Sequence, residues 1–213
     1  MARNYQKRSA KEYNILRGAF QWFTCKVFAI YYKLAFNLKI EGRENVPKKG
    51  FFIVASNHTS ANDPFIVIHA INRHVAYMAK VELFDKKITR FFLDTLGAFA
   101  VDRSKVSVST VRTVMDIKKT DWVLGIFPQG TREKESKNVD TTKRGFAAFA
   151  KTLKCDILPV AITGVEKDQR KFFHGCMKVR IGKPIPYNDN VDEIAQLWSK
   201  KISELIEGGE NNE

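Results

Sequence analysis

Cysteine is scarce in this chain and poorly placed for structural work. Cys25, Cys155 and Cys176 are its three cysteines. They are an odd number at wide spacing with no C-x-x-C pair, so neither a disulfide framework nor a zinc site is expected. They read as reduced thiols of a cytosolic compartment. No uncharged apolar run reaches the roughly 18 residues that a bilayer-spanning helix needs. The basic start is not followed by a compact apolar block with a small-residue cleavage site, so no signal peptide is expected. Internal repeats are missing, as are low-complexity tracts, apart from a polar tail at 208–213. There is no G-x-S-x-G elbow to carry a serine nucleophile. Zinc fingers, basic heptads and the aromatic stacking motifs of RNA binders are also absent.

What is present is a basic, aromatic chain of 213 residues, enough for one domain with a sizeable core and short for two. Its 44% hydrophobic content argues against disorder, and its net charge of +13 calls for an anionic partner. Nucleic acid, an acidic membrane surface and a phosphorylated substrate all satisfy that charge.

The most informative stretch is Asn57-His58-Thr59-Ser60-Ala61-Asn62-Asp63. Before it lies the short apolar run 51–55, which reads as a buried strand. After it, Asp63-Pro64 opens the apolar segment 65–70, which reads as a helix with Asp63 at the N-cap and Pro64 at N1. A His at a strand end and an Asp at a helix start are held on rigid elements around one loop, where a general base and its orienting carboxylate would sit. The plainer reading is a helix cap worth about 1 kcal/mol. The two are compatible, because a carboxylate has several lone pairs.

Residues 13–38 form the second informative region. Leu16, Phe20, Phe23, Val27, Ile30, Tyr31 and Leu34 recur at three- and four-residue steps, and Trp22, Phe28, Tyr32 and Phe36 widen that arc. Arg17, Lys26 and Lys33 interrupt it, and Arg3, Lys7, Arg8 and Lys11 precede it. An amphipathic, cationic, aromatic helix fits the plane of a membrane interface. The alternative is a helix that packs its greasy side on the core.

Beyond residue 38 strands and helices alternate. Strands are predicted at 37–41, 51–55, 75–79, 98–101, 122–127, 157–163 and 177–181, and helices at 64–71, 87–96, 106–119, 144–154 and 191–206. The expected fold is α/β: a mostly parallel or mixed sheet of about seven strands covered by helices. The expected division is a membrane-binding segment at 1–38, a catalytic domain at 39–207 and the tail at 208–213. Sites in such folds gather at the carboxyl ends of strands. Gly97-Ala98-Phe99-Ala100-Val101-Asp102-Arg103 ends a strand, and Phe127-Pro128-Gln129-Gly130-Thr131-Arg132 follows another. In the latter, Pro and Gly force a turn, while Thr131 and Arg132 offer a hydroxyl and a cationic fork suited to phosphate. Pro159-Val160-Ala161-Ile162-Thr163-Gly164 reads as a structural wall.

Together these segments resemble the glycerolipid acyltransferase family, its bacterial lysophosphatidic acid (1-acylglycerol-3-phosphate) acyltransferases in particular. The N-H-x4-D block at 57–63, the G-x-F-x-x-D-R-like block at 97–103, F-P-x-G-T-R at 127–132 and P-V-x-I-x-G at 159–164 stand in the family's order, and Ala79-Lys80-Val81-Glu82-Leu83-Phe84 is similar to its A-K-x-E-L-F segment. The resemblance covers about residues 38–185. It implies transfer of an acyl group from acyl-carrier protein or acyl-CoA to the free hydroxyl of lysophosphatidic acid, without cofactor or metal, on the cytoplasmic face of the cell membrane. His58 would be the base and Asp63 its partner. Lys80, Arg103, Gln129, Gly130, Thr131 and Arg132 would bind substrate, with Lys143 or Arg144 as further candidates for the phosphate. Gln129 departs from the family pattern, which has Glu there: it keeps the shape, loses the charge and gains an N–H2 donor. Another lysophospholipid acceptor, or a non-catalytic basic protein bound to membrane or nucleic acid, remains an alternative reading.

Overall fold

The computed structural model describes residues 5–102, 107–132, 144–164 and 176–208. All seven predicted strands form: β1 (Lys39–Glu41), β2 (Ile53–Ser56), β3 (Val75–Lys80), β4 (Phe99–Val101), β5 (Val123–Ile126), β6 (Ile157–Thr163) and β7 (Lys178–Ile181). They make one sheet in the order β1-β7-β6-β2-β5-β3-β4. The pairs β6-β2, β2-β5, β5-β3 and β3-β4 are parallel, and β7 is antiparallel to β6. Five strands therefore bring their carboxyl ends to one edge.

The helices are α1 (Ile15–Phe36), α2 (Asp63–Ile71), α3 (Lys87–Thr95), α4 (Val108–Ile117), α5 (Gly145–Leu153) and α6 (Val191–Glu207). The pleat divides the core in two. In β2, Val54 packs with α1 and α2, whereas Ile53 and Ala55 pack with α4, α5 and α6 on the other face. Burial on both faces explains why these strands read as continuous apolar runs rather than alternating ones. Trp198 of α6 is fully buried, and its indole N–H donates to the Ala55 carbonyl at 3.1 Å, which clamps α6 under the end of β2.

Residues 63–71 leave β2 on one face, whereas α5 leaves β5 on the other. The chain thus diverges to opposite faces between β2 and β5, the switch point outside whose carboxyl ends open α/β sheets place a binding crevice.

In α1, Asn14 caps the amino end by accepting the Arg17 N–H at 3.1 Å, and Asn37 ends it in the left-handed region at φ 47°. Leu16, Phe20, Phe23, Val27, Ile30, Tyr31 and Leu34 form the outward face, and all are exposed. The inward face carries Gly18, Gln21, Cys25, Ala29, Tyr32, Ala35 and Phe36. Tyr32 and Phe36 therefore belong to the core and do not widen the outer arc. The helix is apolar on both sides, so its outer residues are not accounted for by core packing. Among the described residues no helix is long and apolar enough to cross a membrane.

Candidate active site

His58 follows β2 directly and Asp63 begins α2. The His58 Nδ1 lies 2.8 Å from Asp63 Oδ2. The same oxygen accepts the N–H groups of Thr59 at 2.7 Å and Ser60 at 2.8 Å. Asp63 thus does not act as the N-cap expected from sequence. Asn62 holds that position, Asp63 and Pro64 follow at N1 and N2, and the carboxylate turns back into the loop. The reason is local: a tight 58–63 turn aims two backbone donors at one point, and a buried acceptor must meet them.

Asp63 is wholly buried, while the His58 side chain keeps 16% of its surface. An acceptor oxygen that already takes two backbone N–H groups receives a third from Nδ1, so the ring proton sits on Nδ1 and the lone pair on Nε2. An imidazole in that tautomer can accept a proton through Nε2 while the carboxylate stabilises the resulting cation.

An aromatic platform further fixes the imidazole. Its ring stacks on Phe127 at 4.0 Å between centroids and 17° between planes. Phe127 in turn stacks on Tyr77 at 5.2 Å and 8°. Gly125 makes this possible, because a Cβ there would lie 2.4 Å from Tyr77 Cε1. Burial pushes the Tyr77 hydroxyl well above its ordinary range, with smaller contributions from Cys25 and Asp63, so it stays neutral and serves as a platform rather than a proton carrier.

The backbone N–H of His58 donates to Gln129 Oε1 at 2.8 Å. Gln129 is 1% exposed, on a turn closed by the Gly130 N–H to the Phe127 carbonyl at 2.9 Å. Gly130 then adopts φ 76°, which only glycine takes at little cost. Asn57 pairs its side-chain amide with both backbone groups of Ile162 in β6, each at 2.8 Å.

The candidate phosphate ligands are dispersed along the same edge. Thr131 and Arg132 are exposed beyond the β5 turn. Lys80 ends β3, with its ammonium 3.0 Å from Glu82 Oε1. Arg144 is turned toward α6, where its Nε meets Asp192 Oδ1 at 2.9 Å. Arg103 and Lys143 lie outside the described residues. Sequence reasoning missed Phe127 as a platform and Asn57 as a brace. Both stood in the quoted blocks, but a stacking partner for a ring and a side chain that prolongs a ladder have no spacing signature.

A sequence profile for the acyltransferase family matches residues 37–163. The chain belongs to the acyltransferase family. It is 29% identical over 192 residues to a 1-acyl-sn-glycerol-3-phosphate acyltransferase of Bacillus subtilis, covering 86% of this chain and 95% of that one. It is 30% identical to the enzyme of the same name from Saccharomyces cerevisiae, covering 88% of this chain and 65% of the yeast protein. The crystal structure of the 1-acyl-sn-glycerophosphate (LPA) acyltransferase PlsC from Thermotoga maritima has the same fold, with a TM-score of 0.74 at 23% identity over 91% of this chain and 81% of that one. The braced His58–Asp63 pair thus stands at the carboxyl end of a central strand of an acyltransferase fold.

Proposed function

We propose that this acyltransferase moves a fatty acyl group from an acyl thioester, acyl-CoA or acyl-carrier protein, to the sn-2 hydroxyl of lysophosphatidic acid, giving phosphatidic acid for phospholipid synthesis. The observation that carries the reading is the His58–Asp63 pair at the β2–β5 crevice, joined to relatives that bear that activity in their names. His58 Nε2 takes the hydroxyl proton as the oxygen attacks the thioester carbonyl. The C–O bond forms, the C–S bond breaks, and the imidazolium returns the proton to the leaving sulfur. Asp63 holds the ring and offsets its charge during the transfer. No side chain need be acylated, so both substrates are bound together. Lys80, Arg103, Thr131 and Arg132 are assigned to the acceptor phosphate, with Gln129 and Gly130 shaping the turn that presents them.

Acceptor and product are both lipids, so the reaction belongs at a bilayer. The outward apolar face of α1, with Lys26 and Lys33 beside it, supports peripheral binding at the cytoplasmic face of the membrane, with 1–38 as the interfacial segment and 39–207 as the catalytic unit. An acyl-transfer assay with lysophosphatidic acid and a long-chain thioester, beside other lysophospholipids, tests the substrate. His58→Ala should lower turnover by about 10²–10⁴-fold with the fold intact. Near-normal turnover in that variant would remove His58 as the base.

A further inference from the structure

Helix α3 is anomalous. None of its nine residues is buried, yet Ile88, Phe91 and Phe92 are 76%, 62% and 49% exposed. A helix this short is unstable alone and ordinarily earns its order by burying a face. Here only Leu93 is packed, partly buried, against the core, and the rest of the order comes from one end. Arg8, itself 2% exposed, bonds Asp94 through Nη1 and the Ala98 carbonyl through Nη2 at 2.6 Å. Arg17 Nη1 donates to the Asp94 carbonyl at 2.7 Å, and Gln21 Nε2 donates to the Leu96 carbonyl at 2.7 Å. Arg17 and Gln21 belong to α1, so the carboxyl end of α3 is fastened to α1 by partly buried polar bonds.

We infer that α3 is a second membrane-inserting element, and that the exposed faces of α1 and α3 form one platform seated on an anionic lipid bilayer. The inference rests on the interfacial reading of α1 and extends it to a second helix. Charge argues for the lipid. Lys86 and Lys87 open α3 and Lys33 stands on α1, all exposed, in a chain of net charge +13. A second copy docking face to face would set these same cations against each other. Position argues likewise. The chain enters α3 from the carboxyl end of β3, on the edge that carries His58, and Tyr32 near the end of α1 accepts a hydrogen bond from Asn62 of the catalytic loop at 2.6 Å. The platform therefore borders the crevice that a lipid acceptor must enter.

The test uses the full chain and vesicles of phosphatidylcholine with phosphatidylglycerol. The double substitution Phe91→Ser/Phe92→Ser should lower vesicle partitioning by about tenfold or more, while transfer to a short-chain, water-soluble lysophosphatidate keeps its rate. A second variant places an indole in α3 by Phe91→Trp in a Trp22→Phe background. Trp122 and Trp198, 3% and 0% exposed, are shielded, so quenching by brominated acyl chains reports α3 itself and is expected. Unchanged partitioning of the double Ser variant, or an unquenched indole, overturns the inference. If Phe23→Ser/Ile30→Ser on α1 abolishes binding while the α3 variant binds normally, α3 is not inserted and the α1 reading survives. If neither pair matters, both readings fall. Self-association in sedimentation without vesicle binding assigns the face to a second copy and also overturns it.

Discussion

Two substitutions at Asp63 separate what its carboxylate does for the fold from what it does for the reaction. Asp63→Ala removes the acceptor of three donors. The Thr59 and Ser60 N–H groups are left in a buried loop at about 1–3 kcal/mol each, so a loss of roughly 2–6 kcal/mol of stability is expected. The N1 carboxylate also favours the α2 amino end by about 0.3–1 kcal/mol. Asp63→Asn keeps an oxygen for those donors and for Nδ1, so its stability should fall by no more than about 1–2 kcal/mol. What Asn cannot supply is the charge facing the imidazolium. Turnover should therefore drop by about 10²–10⁴-fold, of which a 10³-fold loss is about 4 kcal/mol of transition-state stabilisation. Urea unfolding and single-turnover acyl transfer measure the two effects on the same preparations. An Asn variant as active as wild type would show that the negative charge is unused and refute the pairing as a catalytic device. An Ala variant of undiminished stability would refute the account of the loop.

Three further outcomes are expected. Gln129→Glu keeps the acceptor for the His58 N–H and should fold and turn over normally, whereas Gln129→Leu orphans that N–H and should cost about 1–3 kcal/mol in denaturant unfolding, with loss of activity. Arg132→Ala should raise the apparent Michaelis constant of the acceptor well above that of the thioester, and equal effects on both would remove its phosphate role. The third concerns pH. His74 titrates below its ordinary 6.5 because burial disfavours its charged form and Arg73 repels it, against a smaller pull from Asp121, and His69 is lowered by burial and then by Arg43 and Lys26. The unfolded chain therefore takes up these protons first, so their contribution is complete above pH 6.5 and is lost as the pH falls below it. His74→Phe keeps the stack on Trp122, and its Tm should drop less than that of wild type between about pH 7.5 and 5.5.

Much of the fold was legible because its strands are short apolar runs separated by helical periods. The direction of β7 was not, since nothing in 177–181 distinguishes an antiparallel neighbour from a parallel one. The helix boundary at 62–63 was displaced by one residue for a physical reason: Asp is the better cap by propensity, but the loop donors compete for its oxygen and take it. In α1 the three- and four-residue spacing identified the outward face, yet it could not tell that Tyr32 and Phe36 turn inward, because both faces are apolar and periodicity has no contrast to read. The His58–Asp63 contact was legible because only four residues of one loop separate them. The Tyr77–Phe127 platform depends on Gly125 across a strand pair, which only the sheet order brings together.

The position of His58 is fixed three times over, and this bears on the unusual Gln129. Asn57 ties the loop to β6 through the Ile162 backbone, Gln129 ties the His58 N–H to β5, and Asp63 ties the ring to the head of α2. These bonds come from the two strands that flank β2 and from the helix that follows it. The strand order alone therefore brings them to a common point. The Gln129 contact that holds the loop is made by a side-chain oxygen accepting a backbone proton, a task at which amide and carboxylate are interchangeable in shape and differ mainly in strength. Within that bond, a charge at 129 changes strength rather than geometry, and the loop is already anchored on its other two sides. Glu and Gln are therefore equivalent for placing the imidazole. Any kinetic difference between Gln129 and its Glu variant must then arise in the acceptor-binding part of the turn, and so in the Michaelis constant of the acceptor rather than in turnover.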